Sequence, residues 1–361
     1  MTFSVQPAAL EGYAAQVDRA GDDATSIKNY LRGYRVDSGW DGLLIELVGT
    51  AHVASMDAAQ GLSDRVAAVL HDSRNGLTSS ASYYRRTDAT AAAAFDATMP
   101  SRCPSSPTTL EQQWADNPCG PGFGDSREPS GRLKPVDNVE YSHPLAVLDN
   151  ISVSNWALKG FDFVFGFNPL EKVSEFFVGD WQAVAKGGKA LEDAGEAFDD
   201  LAYNVQGGAI AVHATWQGFA GDAAYTHFTG TATSVEGLVD PLRRISEEFD
   251  TIAHGVWSAA EAITGWVKGM ADAAIIAGIA AAAGTITAET GIGAIAGYGV
   301  AAVAVCELLD MWAQATAAMT NLYSIVQGAI GVIESQLAFL RSAQLPETSA
   351  FSAYQSPLPG H

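Results

Sequence analysis

Basic side chains are scarce in this chain: 20 Lys and Arg stand against 41 Asp and Glu, for a net charge of −21. Nucleic acid is held largely through Lys and Arg on phosphates, so no nucleic-acid partner is expected. An anionic membrane surface should repel the chain as a whole. Cysteine is scarcer still, with three residues, too few for a disulfide framework. Cys103 and Cys119 share a Pro-rich stretch, where an oxidising compartment would allow one loop-closing bond; two free thiols are the alternative. Cys306 lies in an apolar helical run and reads as a small buried hydrophobe.

Signatures of chemistry are missing as well. The histidines, at 52, 71, 143, 213, 227, 254 and 361, form neither HxxxH nor HExxH, so no metal site is assigned. There is no G-x-S-x-G, no P-loop and no Gly-rich fingerprint after a strand; GIGAIAG at 291–297 sits inside a helical pattern. No catalytic residue and no cofactor are assigned, and the chain reads as a non-enzyme. The opening MTFSVQPAAL has no basic n-region and no apolar h-region, so it is not a cleavable signal peptide. If the protein is exported, it leaves by a route that does not read such a signal.

What the sequence has is helical periodicity. Leu10, Tyr13, Val17, Ala20, Ala24, Ile27 and Leu31 alternate spacings of three and four, the stripe of an amphipathic helix. After GWDG at 39–42 a similar rhythm runs from Leu44 through Val48, Leu62 and Val66, predicting helix to about Phe95. Residues 100–145 are dense in Pro, Gly and Ser and read as a linker. From Trp181 the stripe returns, breaks at TWQGFAGDAA (215–224), and resumes from Phe228 to Val256. The fold class is therefore all-α, with two helical-hairpin modules at 1–99 and 146–345 and a disordered tail at 346–361. The carboxylates Glu192, Asp193, Glu196, Asp199 and Asp200 read as the wet face of a helix.

The two breaks share the pattern Trp-x-Gly: Trp40 and Gly42, then Trp216 and Gly218. A hairpin must reverse within a few residues; Gly permits the backbone angles, and a neighbouring Trp can cover both helix ends. TWQGFAGDAA, preceded by GDWQAVAKGGKALEDAGEAF, resembles the WxG family of type VII (ESX) secretion substrates, especially the N-terminal modules of actinobacterial polymorphic toxins. MTFSVQPAALEGYAAQVDRAGDDA, with SYYRRTDATAAAAFD, is similar to the EspC-type secretion-associated proteins, whose export signal has the form YxxxD/E; Tyr84 and Asp88 match it. On one continuous helix these two would lie one turn apart on the same face, readable by a receptor. The likeness covers about 1–99 and 170–268. The first copy departs from the family in having Leu43 and Leu44 where small residues follow the motif. The resemblance implies a secreted or cell-surface protein that works through helical interfaces, with the carrier part of a toxin system as one such role. Its implied partners are a WxG-family chain or a second copy of itself, and the ESX secretion ATPase or a chaperone. It requires that Trp40 and Trp216 lie in breaks, not in strands or unbroken helices.

The stretch 273–306 is the most apolar, interrupted only by TAET at 287–290. One reading is two short helices inserted in a membrane, with Gly293 and Gly297 giving a GxxxG contact and a pore-forming protein as the alternative function. The other is a hairpin buried in the second bundle or facing another chain. Each half falls short of the roughly 20 residues that a span needs, which favours the second. A hydrolase whose residues converge only in three dimensions is the remaining alternative.

Overall fold

A computed structural model describes residues 3–100, 106–116, 122–137, 154–287, 293–342 and 352–358, apart from the side chains of 280, 281, 283–287 and 293–301. It is all-α, about 82% helical. The long helices are α1 (Pro7–Arg32), α2 (Leu43–Arg86), α7 (Trp181–Thr215), α8 (Phe219–Glu236), α9 (Val239–Thr287) and α10 (Gly293–Ser342). Shorter ones are α3 (Ala89–Asp96), α4 (Thr109–Asp116), α5 (Asn155–Phe165) and α6 (Pro169–Phe177), with a 3₁₀ turn at Pro129–Arg132. Two strands of two residues each, β1 (Ser4–Val5) and β2 (Trp216–Gln217), pair antiparallel.

The hairpins α1/α2 and α7/α8–α9 pack against each other as one bundle. The α1 stripe is at most 4% exposed from Leu10 to Leu31, and Trp181, Val184, Leu191, Phe198 and Val205 of α7 at most 1%. Burial this complete removes both stripes from solvent by internal contact. The Tyr13 hydroxyl crosses from one hairpin to donate to the Val205 carbonyl at 3.0 Å, and its ring meets Phe228 edge-on at 4.9 Å. Gly208 allows this approach, since a side chain there would collide with the Tyr13 ring.

Helices α8 and α9 are separated only by Gly237 and Leu238, and Gly237 itself keeps helical angles. Along this near-continuous rod lie α7 and then α5, in one antiparallel register: Gly195 meets Val239 and Leu242, Gly188 meets Phe249, and Gly160 meets Ala274. Helix α10 returns along α9, with Gly255 against Leu322 and Gly269 against Met311. The α1–α2 turn meets the start of α7, where the Gly39 carbonyl accepts from the Asp180 amide. Beyond that level α9 and α10 continue with α5 and α6 as their other companions.

Several sequence expectations change. The apolar stretch is not a pair of short helices but the adjoining ends of two helices of 49 and 50 residues. Nor is it fully buried: Ile276, Ile279 and Val303 are exposed, as is Cys306, because α10 shows α9 only one face. Gly293 and Gly297 fall within the first turns of α10; Cys103 and Cys119 lie outside the described residues. The linker is partly an ordered arm. Arg132 pairs with buried Asp200 at 2.7 Å and with Glu196 at 2.9 Å, Arg127 pairs with Asp199 at 2.8 Å, and Asn204 accepts from the Ser126 and Arg127 amides. The expected wet face of α7 is thus where the arm docks. Residues 352–358 of the expected disordered tail are docked too: Tyr354 and Leu358 are buried, and the Tyr354 amide donates to Ser73 Oγ at 2.8 Å. Gly76 admits them, its missing side chain leaving room for the Tyr354 backbone.

His52 lies inside the joint between the hairpins, against Trp40 and Phe249. Its Nε2 donates to the Tyr34 carbonyl at 3.0 Å, and Nδ1 has no partner among the described residues. A proton on Nδ1 would be a buried charge without an acceptor, and burial pushes the pKa down to about 4. Between the ordinary 6.5 and about 4 the unfolded chain therefore binds more protons, so this group's stabilisation is lost as pH falls through that window, about 3 kcal/mol in all. Asp23 acts with the opposite sign: burial, then the charges of Asp125 and Asp22, raise it to about 6. Its effect on stability therefore improves as pH falls from about 6 toward 4. Urea unfolding at pH 4, 5, 6 and 7 should show Asp23→Asn steepening the loss on acidification and His52→Gln reversing its sign.

Candidate functional site

The sequence singles out two turns and the Tyr84–Asp88 segment. The structure brings one turn and that segment together and leaves the other turn at the opposite end of the bundle.

At the first turn Trp40 is half-buried, its indole lying on Gly49 and beside His52. Gly42 precedes α2 in extended backbone and is pressed against the Val178 carbonyl, so this turn is sealed by the start of the second hairpin. Beside it an open groove of about 720 Å³ is lined by Asp37, Trp40, Glu46, Asp57 and Arg341, among others. Its described lining includes three carboxylates and the Thr50 hydroxyl, with no histidine among them. Among the described residues no cluster of three His, Cys, Asp or Glu could hold a metal.

At the second turn Trp216 is fully buried. It does separate two helices, but it also lies in β2, paired with Val5, so the requirement that it avoid a strand is not met. The reversal is not a bare turn: the chain's first segment laces it, with the Gln6 amide donating to the Thr215 carbonyl at 3.1 Å. The Trp216 Nε1 donates to the Tyr84 hydroxyl at 3.1 Å, and the two rings meet edge-on at 5.9 Å. Phe3 covers the other side of Tyr84, with ring centroids 6.0 Å apart. Burial raises the Tyr84 pKa well above the ordinary tyrosine value, so the phenol stays neutral.

Tyr84 and Asp88 do not share a helix face. Helix α2 ends at Arg86 and Thr87 is extended; Asp88 begins α3, its carboxylate accepting from the Thr90 amide at 2.9 Å. The break follows from Asp88 itself, a strongly preferred N-cap residue. Tyr84 is 7% exposed, so it is not available as a free side chain.

One residue that the sequence did not point to completes the site. Helix α8 starts at Gly218, which has no side chain to cap it. Asp96, at the end of α3, takes that role from the other hairpin: Oδ2 accepts from the Phe219 amide and Oδ1 from the Ala220 amide, both at 2.9 Å. A carboxylate at a helix N-terminus is favoured by the orphan amides and by the helix dipole. Gly218 makes room for it, since a side chain there would sit 2.5 Å from Asp96 Oδ2, and its φ of 129° disfavours any other residue. Nothing local in ATAAAAFD marks Asp96; its partner is 123 residues away. His213, by contrast, is a satisfied structural histidine, 2.9 Å from Asp222 and stacked on Tyr225. No protein-family model, curated protein or solved structure matches this chain.

Asp96→Ala should lower stability by about 2–3 kcal/mol, because two amides at a largely buried helix start lose their acceptor. Gly218→Ala should cost more than about 1 kcal/mol through strain and collision with Asp96. Asp96→Asn should fall between wild type and Asp96→Ala. Urea midpoints of the three variants check the order.

Proposed function

We propose that this chain is a type VII (ESX) export substrate in which a targeting hairpin and a WxG hairpin are partners within one polypeptide. The reading is supported by the hydrogen bond from Trp216 to Tyr84, through which the segment that matches the YxxxD/E form meets the turn of the second hairpin. The strand at Trp216 departs from the simple turn that the resemblance implies, and the added β1 strand is read as a clasp on that turn. With the α1 and α7 stripes buried by internal packing, neither of those two stripes is open to a separate WxG chain. The partner is instead the secretion ATPase or a chaperone, which reads the surface around Asp88, α3 and the Trp216 turn. The protein acts at the cell surface or outside it, through interfaces, with toxin carriage as the associated role and no catalysis of its own.

Export has to be separated from folding, and two mild substitutions do this. Asp88→Asn keeps an acceptor at the N-cap while removing the charge. Tyr84→Phe keeps the ring against Trp216 while removing the hydroxyl. Both variants should stay folded, with circular dichroism like wild type, and both should accumulate inside cells that carry a working type VII apparatus. Wild-type amounts of both in the culture filtrate would refute the export role.

A further inference from the structure

We infer that the trough between α2 and α8 is a recognition site for extended Tyr-x-x-Pro-Leu segments. Residues 354–358 of the same chain fill it in this structure, and residues 141–145 of a second copy are its other ligand. This goes beyond the export reading and does not depend on it.

Small residues form one wall of the trough and aromatic rings the other. Ser73, Gly76 and Ser80 follow one another at spacings of three and four along one face of α2. Ser73 Oγ donates back to the Val69 carbonyl at 2.6 Å, which leaves its lone pairs to accept from the Tyr354 amide at 2.8 Å. Gly76 gives the occupant's backbone room, since a Cβ there would collide with the Tyr354 carbonyl. Ser80 Oγ and Ser356 Oγ are 2.8 Å apart. From α8 the His227 and Phe228 rings face the Tyr354 ring, with centroids 5.6 and 5.4 Å away.

The occupant is held as a ligand is held. Residues 352–358 carry no charge and form neither helix nor strand. Tyr354 and Leu358 are buried, whereas Gln355 and Pro357 between them are exposed. Pro357 biases the residue before it toward extended backbone. The trough therefore reads a tyrosine, the leucine four residues on, and a hydrogen-bonding side chain between them.

The same pattern stands at one other place in the chain. Tyr141-Ser142-His143-Pro144-Leu145 matches Tyr354-Gln355-Ser356-Pro357-Leu358 in its Tyr, Pro and Leu. Ser142 falls at the exposed position of Gln355, and His143 offers a ring nitrogen where Ser356 meets Ser80.

Residues 141–145 cannot reach the trough of their own chain. Ser73 lies about 32 Å along α2 from His52, at 1.5 Å per residue. His52 meets Phe249 of α9, and α9 runs from there in the opposite direction, about 44 Å to Gly278. At Gly278 it packs on the backbone of Trp156 in α5. A Leu145 seated in the trough would have to be joined to Trp156 across more than about 70 Å by a stretch that spans at most about 40 Å when fully extended. The trough within its reach is that of a second copy. Residues 354–358 compete for it with the advantage of being tethered, so the second copy enters where they give way.

The test uses the full chain and fluorescent peptides covering 138–148 and 351–361. Wild type, with its trough filled, should bind either peptide weakly. Tyr354→Ala empties the trough without altering a helix, and this variant should bind both peptides at least tenfold more tightly. Gly76→Leu added to Tyr354→Ala should remove that gain while circular dichroism stays like wild type. A 138–148 peptide with Tyr141→Ala or Leu145→Ala should lose the gain as well, a check that leaves the protein's own fold untouched. In sedimentation, the Tyr354→Ala chain should self-associate as its concentration rises, and Tyr141→Ala added to it should restore the monomer. No gain in peptide binding by Tyr354→Ala, or a gain that Gly76→Leu leaves intact, overturns the site. Binding of 351–361 alone, or a Tyr354→Ala chain that stays monomeric, overturns the second copy as the source of its other ligand.

Discussion

The amino end of α8 is largely buried, and its own cap residue, Gly218, has no side chain to satisfy it. Unpaired amides in such a place are costly, so an acceptor has to come from elsewhere. It comes from Asp96, on the other hairpin. This one need couples the hairpins more tightly than apolar packing alone could. Greasy stripes slide past one another at small cost, whereas a carboxylate held by two amides fixes the rotation and the level of α3 against α8. The indole of Trp216, donating to Tyr84 from the same turn, fixes the end of α2 at that level. Once both are set, the register of α1 along α7 follows, and Tyr13 arrives at the Val205 carbonyl.

Small residues make that register exclusive. Gly187 lies under the His52 ring, Gly207 under Trp114 and Gly208 under Tyr13, all on α7. In each case a methyl group would meet an aromatic or imidazole ring closer than 3 Å. The same helix carries the acidic residues that hold the arm, so α7 is contacted by the first hairpin, by α8–α9 and by the arm. That explains why Asp200 and Asn204 are buried on a helix whose composition looks half wet. Their polar atoms are paired with Arg132 and with the backbone of the arm, not with water.

Periodicity made the long helices and both reversals legible, because a stripe at spacings of three and four is a local signal. The stripes did not reveal that the two hairpins would bury each other. A stripe states that a face must be covered, and it carries no address for what covers it. Asp96 was illegible for the same reason: a carboxylate at the end of AAAAFD looks like any solvated helix end until α8 is placed against it. The break at Thr87 was more accessible in principle, since Asp88 followed by Thr-Ala-Ala is a plausible cap, but the match to a known signal pointed to one continuous helix. Composition misleads at residues 352–358 of the tail. Ser, Pro and Gln around Tyr354 resemble a free end, yet one tyrosine and one leucine suffice to seat it where Gly76 leaves the α2 surface flat.

The rod α8–α9 has two unlike ends, and the difference follows from how each satisfies its backbone. At the start, a buried terminus is closed by charge, indole and a strand clasp, which demands named partners at fixed distances. Further along the rod, at Ile276 and Ile279, intrahelical bonds serve the backbone and exposed apolar side chains remain, which demand no named partner. The first kind of closure is specific and brittle; the second is tolerant and leaves the choice of environment open.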